Sequence, residues 1–395
     1  MLTVEEAIGR LVNSATVIPS IDTVNVREAL GRVLAAGVVA GVDAPPADNS
    51  AMDGYAFKYD DAVSSQFSLP VSQRIPAGTA PKPLAPKTIA RLFTGSEIPP
   101  GADTVAMQED CIREGDTVIV NSAMTRGENI RHRGQDITCG DTIVSPGTRL
   151  RAQEMGLISS VGIKQVDVYR PLKVAILSTG DELVEPGNIL QPGQIFNSSR
   201  ATLTGLLQSL GMEVVDLGEV EDTPQATINA LQSASEAADI IISSGGVSVG
   251  EEDHVKNAVA SLGGIDFWKI AIKPGKPLAF GRIGDTPFIG LPGNPASVFV
   301  TFLIIARPYL LASQGQQDRF QHVFKAPALF SKSGERREVY LRCRLAAEGV
   351  DLYANQSSGV LSSACWGDVL VRQRPGQDIE KGQLMDVFSY NALLS

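Results

Sequence analysis

Lys273 and Lys276 stand three residues apart in the run "IKPGKP", residues 272–277, on a frame of two prolines and one glycine. Proline presets its backbone angle and glycine allows close approach of other segments, so the two ammonium groups are fixed relative to each other. Such a pair can grip an oxyanion and stabilise charge that develops on it. On an open surface the same turn would carry only solvated lysines, so the groups around it must decide. Three Gly- and Ser-rich stretches supply candidates: "LSTGDEL" with Thr179, Gly180 and Glu182; "SSGGVSVGEED" with Gly245, Gly246, Ser248 and Asp253; and "LPGNPAS" with Asn294 and Ser297. Small residues in such turns let backbone N–H groups converge on an anion, aided by the N-terminus of a following helix.

Glu182, Asp222 and Asp253 would repel a phosphate unless a divalent cation lay between. Mg²⁺ takes one or two carboxylates together with phosphate oxygens, which is this inventory. Asp222 and Asp253 also fall near helix starts, where an aspartate caps the backbone. A rival chemistry comes from Gly246-Val247-Ser248-Val249-Gly250, which matches the G-x-S-x-G nucleophile elbow. An elbow serine sits on the sharp strand-to-helix turn itself, whereas here "VGEED" still separates it from the helical pattern. His322 stands in a stretch without active-site character, His254 reads as a surface residue of the third helix, and the hydrolase reading is set aside. Neither G-x-G-x-x-G nor G-x-x-x-x-G-K-[ST] occurs, so dinucleotide and P-loop folds lose support.

With 34 Lys and Arg against 44 Asp and Glu, the chain carries −10. That balance argues against nucleic-acid partners and against an anionic membrane surface, and makes any basic cluster a local pocket. Four cysteines without C-x-x-C spacing and three histidines speak against a zinc site and fit a reducing compartment. "MLTVEEAIGRL" has neither the basic nor the apolar region of a leader; Thr3 and Glu6 read as a capping box. "ASVFVTFLIIARPYLLA" is broken by Arg307 and Pro308, so no membrane span is expected. A cytoplasmic protein is the expectation.

The elements that must position these groups alternate in type from Pro171 onward. "LKVAILST", "EVVDLGEV" and "DIIISSGG" are strand-length apolar runs, and "FWKIAI", "PLAFGRI" and "PFIGLP" are further strand candidates. "SRATLTGLLQSLG", "DTPQATINALQSASEAA" and "EEDHVKNAVASLGG" read as helices, with a last one starting near Pro295. Apolar strands alternating with helices predict an open, mostly parallel α/β domain covered on both faces. Ligands bind at the carboxyl ends of such strands, where every candidate so far falls. At 395 residues the chain exceeds one core. Residues about 49–136 and 321–395 instead show short alternating stretches and hairpin turns at Glu114-Gly115 and Glu348-Gly349, the style of smaller mixed and all-β domains. The fold class is thus multidomain α/β plus β.

Outside the α/β domain, "PPADNSAMDGYAF" carries Asp53, "RLFTGSEIPPGADTV" carries Thr94 after a strand, and "GENIRHRGQDI" groups Arg131, Arg133 and Asp136. Arginines two apart on a strand share a face and form an anion clamp or a solvated edge.

Taken in order, "DNSAMDGYA", "TGSEIPPGADTV", "ENIRHRGQDI", "LSTGDEL", "SSGGVSVGEEDHVK", "IKPGKP" and "LPGNPAS" resemble the molybdopterin molybdenumtransferase (MoeA) family, related to the E domain of gephyrin, over essentially the whole chain. The resemblance implies an elongated homodimer with its site shared between subunits. It implies adenylylated molybdopterin and molybdate as substrates, Mg²⁺ as cofactor, release of AMP, and a molybdopterin adenylyltransferase as partner. It implies Asp53, Glu182, Lys273 and Lys276 as catalytic residues, and Glu182, Asp222 and Asp253 as metal ligands. Thr94, Arg131, Asp136, Thr179, Gly180, Gly245, Gly246, Ser248, Asn294, Ser297, and more loosely Arg336 and Ser362, would bind substrate. The implied domains are 1–20 with 171–318 (α/β), 21–48 with 137–170 (β-rich linker), 49–136 (mixed) and 319–395 (β). Gln135-Asp136 replaces the family's usual Glu-Asp, and Asn197-Ser198-Ser199 its usual Asp-Ser/Thr-Asn. A gephyrin-like scaffold and a nucleotide-pyrophosphate hydrolase on the same domain are the alternatives.

Overall fold

The structure, a computed structural model, describes residues 1–17, 20–247, 254–318 and 323–394, the side chain of Trp268 excepted. Six strands, β1 (Lys173–Thr179), β2 (Glu213–Val220), β3 (Ile240–Ser244), β4 (Gly263–Trp268), β5 (Ala279–Ile283) and β6 (Thr286–Leu291), form one sheet in the order β2-β1-β3-β6-β5-β4. The first four in that order run parallel, and β5 and β4 close the far edge antiparallel. The strands read as continuous apolar runs because both faces are buried. Val174, Ile176, Ile240 and Ile242 enter one core with Leu203 and Leu207 of helix Ser198–Ser209. Ala175, Leu177 and Ile241 enter the opposite core with Leu231, Val255 and Val259 of helices Pro224–Ala237 and His254–Leu262. Successive side chains of one strand therefore serve opposite layers, as the pleat requires.

The expected strand "FWKIAI" divides in two. Its first part ends β4; its second is the short strand Ile272–Lys273, which pairs in parallel with Glu338 and Val339 of the C-terminal sheet. The lysine turn thus hangs between two domains. The last helix runs unbroken from Pro295 to Ser313 and is long and apolar enough to cross a membrane, yet it is almost wholly buried as the central core helix. Arg307 and Pro308, which interrupt the apolar run in the sequence, do not interrupt the helix. Pro308 falls in the first turn of the segment Arg307–Ser313, next to a π-helical turn at Phe302–Ala306. Arg307, itself buried, donates through Nε to the carbonyl of Leu393.

The N-terminal helix Val4–Ser14 opens with the Thr3–Glu6 capping box and places Val4, Ala7 and Leu11 in the core that holds Leu172 and Leu310. A separate core containing Val26, Leu34, Val144 and Val168 draws together chain on either side of residues 49–136, and strand Ile21–Asn25 pairs antiparallel with Gln165–Tyr169. The intervening segment has its own six-stranded sheet, including the hairpin Cys111–Glu114 and Thr117–Val120 turned through Gly115 and Asp116. The C-terminal sheet carries a fourth core around Leu341, Val369, Val371 and Val387.

Candidate anion-binding site

A cavity of about 890 Å³ opens at the carboxyl ends of β1, β3 and β6. Its floor is Thr179 and Gly180 after β1, Ser244 through Val247 after β3, and Pro292 through Pro295 after β6. The turns must be this tight. Gly245 has φ +94°, and a Cβ there would stand 2.7 Å from the carbonyl oxygen of Thr179. Gly275, between the two lysines, has φ +105°, and its Cβ would meet Thr301 Cγ2 at 2.4 Å. Only glycine lets the lysine turn lie this close to the core helix.

Lys273, Lys276, Glu182 and Asp222 line this one cavity, as do Asn294 and Ser297. Asn294 holds the N-cap position of the last helix, yet its side chain makes no capping bond. The capping role considered for Asp222 falls instead to Thr223, whose hydroxyl accepts from the N–H of Ala226 at 3.3 Å. Asn197, where the chain departs from the family pattern, caps helix Ser198–Ser209 by accepting from Arg200 N–H. Ser248, Asp253 and the hydrolase candidate His322 lie outside the described residues. Among the described residues no three His, Cys, Asp or Glu side chains gather closely enough to enclose a metal ion.

The opposite wall comes from the C-terminal domain. Lys332, Glu335, Arg337 and Arg342 line the cavity, with Ser357 and Ser358 beside them. Glu335 bridges two cations: Oε2 meets Lys273 Nζ at 2.5 Å and Oε1 meets Lys332 Nζ at 3.1 Å. Burial pushes the Glu335 carboxyl up, but the hydrogen bonds from Lys273 and Lys332 outweigh it and hold it below the usual carboxylate range. Lys276 makes no ion pair among the described residues. Arg342 is 1% exposed and meets no carboxylate among the described residues; its Nε donates to Ser363 Oγ at 2.9 Å and Nη2 to the carbonyl of Ser357 at 3.0 Å. Burial lowers its guanidinium below the ordinary arginine value. A buried cation held by neutral groups at a cavity wall favours an anionic guest.

Two expected residues belong elsewhere. Arg336 is exposed and does not line the cavity; Arg337, Val339 and Leu341 do, and that period of two turns Arg336 away. Arg337 also donates to the carbonyl of Ile272 at 2.9 Å, tying the C-terminal strand to the lysine turn. Ser362 is exposed at the start of helix Ser362–Trp366, 3.3 Å from the hydroxyl of Tyr353, and Ser357 and Ser358 take the cavity position. Ser357 and Ser358 open the run "SSGVLSS", which the resemblance offered only loosely as an oxyanion patch, whereas Arg342 was not foreseen. The alternation in "RREVYLR" was the available signal for Arg337.

Asp53, Thr94, Arg131 and Asp136 do not line this cavity; no described residue before Thr179 does. Asp53 and Thr94 nonetheless form a unit, since Asp53 Oδ1 accepts both the N–H and the hydroxyl of Thr94 at 2.8 Å. Those bonds hold the Asp53 carboxyl below its ordinary value. The arginine clamp does not form. The strand ends at Arg131, and Arg133 turns away to pair with Asp43. Arg131 and Asp136 are exposed.

Fold and site together define a multidomain α/β-plus-β protein with a cavity of lysines, arginines and carboxylates at a sheet edge, walled by its C-terminal β domain. Residues 2–162 match the family described as MoeA N-terminal region (domain I and II), and residues 175–312 the probable molybdopterin binding domain. The chain is 40% identical to a molybdopterin molybdenumtransferase of Haemophilus influenzae over 84% of its own length and 81% of the relative's. It is 40% identical to one from a Nostoc species over 81% and 76%. The crystal structure of the molybdopterin biosynthesis moeA protein from Pyrococcus horikoshii OT3 superposes with a TM-score of 0.86 at 27% identity, covering 99% of this chain and all of that one. The chain belongs to the molybdopterin molybdenumtransferase family and is an enzyme, a transferase with a role in molybdenum cofactor biosynthesis.

Proposed function

We propose that the chain inserts molybdenum: it binds adenylylated molybdopterin and molybdate, cleaves the pyrophosphate link with release of AMP, and leaves molybdenum on the dithiolene. The observation that carries this reading is the single cavity in which Lys273 and Lys276 face Glu182 and Asp222 across three tight turns. Both guests are anions, and this cavity concentrates cations in a chain of net charge −10.

Mg²⁺ suits the donor set. Glu182 and Asp222 line the same cavity, and two carboxylates with substrate phosphates satisfy Mg²⁺ without a third acid. Glu182 and Asp222 would hold the ion, which supplies positive charge beside the pyrophosphate when bound. The protein's own groups do the rest. Lys276 stabilises negative charge that grows on the phosphate oxygens as the link breaks, and Lys273 orients the oxyanion from the same turn. Asn294 and Ser297 offer further donors at the helix N-terminus.

Asp53, Thr94, Arg131 and Asp136 are assigned to the site of a second subunit in a homodimer. The support is the fixed Asp53–Thr94 unit, which has no place in its own chain's cavity. The test is incubation of purified protein with adenylylated molybdopterin, Mg²⁺ and molybdate, following AMP and metal-loaded pterin separately. Joint appearance of both supports insertion. AMP from simple dinucleotides, indifferent to molybdate, would replace it with a pyrophosphate hydrolase.

A further inference from the structure

Glu335 is an acid on the cationic wall of an anion pocket, where simple electrostatics would leave it out. Its two oxygens contact two different lysines, Lys273 at 2.5 Å and Lys332 at 3.1 Å, and all three side chains line the cavity. An oxyanion seated on Lys273 would meet this carboxylate within hydrogen-bonding reach, and like charges at that distance repel. Lys276, on the same turn, has no such partner among the described residues.

We propose that Glu335 competes with the substrate oxyanion for Lys273 and is retained by Lys332 when it yields, so that it sets how tightly the pocket takes an anion. This deepens the anion-site reading given above and rests on it. The geometry makes the exchange local. Only the Oε2 contact has to break, because Oε1 already lies on Lys332, three residues away on the same segment. The backbone need not follow, since Arg337 still ties its segment to the carbonyl of Ile272 and Ile272–Lys273 stays paired with Glu338–Val339. The lysines' hydrogen bonds keep Glu335 ionised, so it leaves Lys273 by rotation and not by picking up a proton. Between binding events Glu335 also keeps the Lys273 ammonium partnered.

The experiment is isothermal titration of the full chain with molybdate alone, and with inorganic pyrophosphate as a second probe, alongside the KM for molybdate in AMP release. Glu335→Gln keeps the shape and removes the competing charge; it is expected to bind molybdate about tenfold tighter, equivalent to 1.4 kcal/mol, and to lower KM without raising kcat. Glu335→Asp should stay near the unmodified chain. Lys332→Gln should weaken molybdate binding more when Glu335 is present than in the Glu335→Gln background, because it removes the alternative seat for the carboxylate. Unchanged or weaker binding by Glu335→Gln, in a chain that still unfolds cooperatively, would make Glu335 a mere strut and overturn the proposal. If the unmodified chain binds neither probe, the anion-site reading fails first and takes this one with it. If it binds both but the two Lys332→Gln effects are equal, only the exchange is overturned.

Discussion

Lys276 and Lys273 are neighbours in a turn but differ in circumstance: one lines the cavity without an ion-pair partner among the described residues, the other is held by Glu335. Lys276 is therefore the group whose charge is available to a reacting phosphate. Lys276→Ala is expected to lower AMP release on the order of a hundredfold while the urea midpoint stays put, since one such donor typically contributes about 3 kcal/mol to the transition state. Undiminished AMP release from a folded variant would remove Lys276 from the mechanism. The Glu335 contact has a pH signature of its own. A carboxyl held below its unfolded value contributes stability above the ordinary carboxylate range, and that contribution is lost as pH falls through the lowered value. Unfolding of the unmodified chain and Glu335→Gln should differ by at most about 1 kcal/mol at neutral pH, and the gap should narrow as pH falls below the ordinary carboxylate range. A gap that widens on acidification would contradict the assignment.

The turns that carry these residues depend on element packing more than on their own side chains. Gly275 lies against Thr301 of the core helix, so Gly275→Ala must both strain a left-handed backbone and displace a methyl. A loss of about 2–3 kcal/mol is expected, part of it recovered by adding Thr301→Ser, which removes Cγ2; chemical denaturation of the three proteins measures both. No recovery would mean that backbone strain, not the methyl, dominates. The sheet strands and their helices were legible because doubly buried strands leave unbroken apolar runs, and "LKVAILST" and "DIIISSGG" leave no other choice. Their loops were legible for the same reason: polar residues at the carboxyl ends have only one edge to face. The far wall was hidden. Nothing local in "KSGERREVYLR" says that Lys332, Glu335 and Arg337 reach a cavity, because that follows from Ile272–Lys273 pairing with Glu338–Val339. That Arg337 and not Arg336 lines the cavity follows from the same register. Of the run "SSGVLSS", Ser357 and Ser358 line the cavity and Ser362 does not, because it starts a short helix.

At the scale of the whole molecule, the question is where the fixed carboxylate of Asp53 does its work. Thr94 holds it ionised and oriented, yet the cavity of its own chain takes nothing from the domain it belongs to. Closed two-fold symmetry would bring two identical composite sites, each built from one chain's Asp53 unit and the other chain's lysine turn. That arrangement has a consequence that a site built within one chain lacks. Asp53→Asn and Lys276→Ala, each weakly active alone, should complement when unfolded together and refolded as an equal mixture. Half of the dimers are then mixed, and each mixed dimer has one site free of both substitutions and one carrying both, so about a quarter of the unmodified activity should return. The readout is AMP release per subunit against the mean of the two separate variants. A mixture no more active than that mean, although sedimentation shows dimers exchanging subunits, would confine the chemistry to a single chain and leave Asp53 without a part in it.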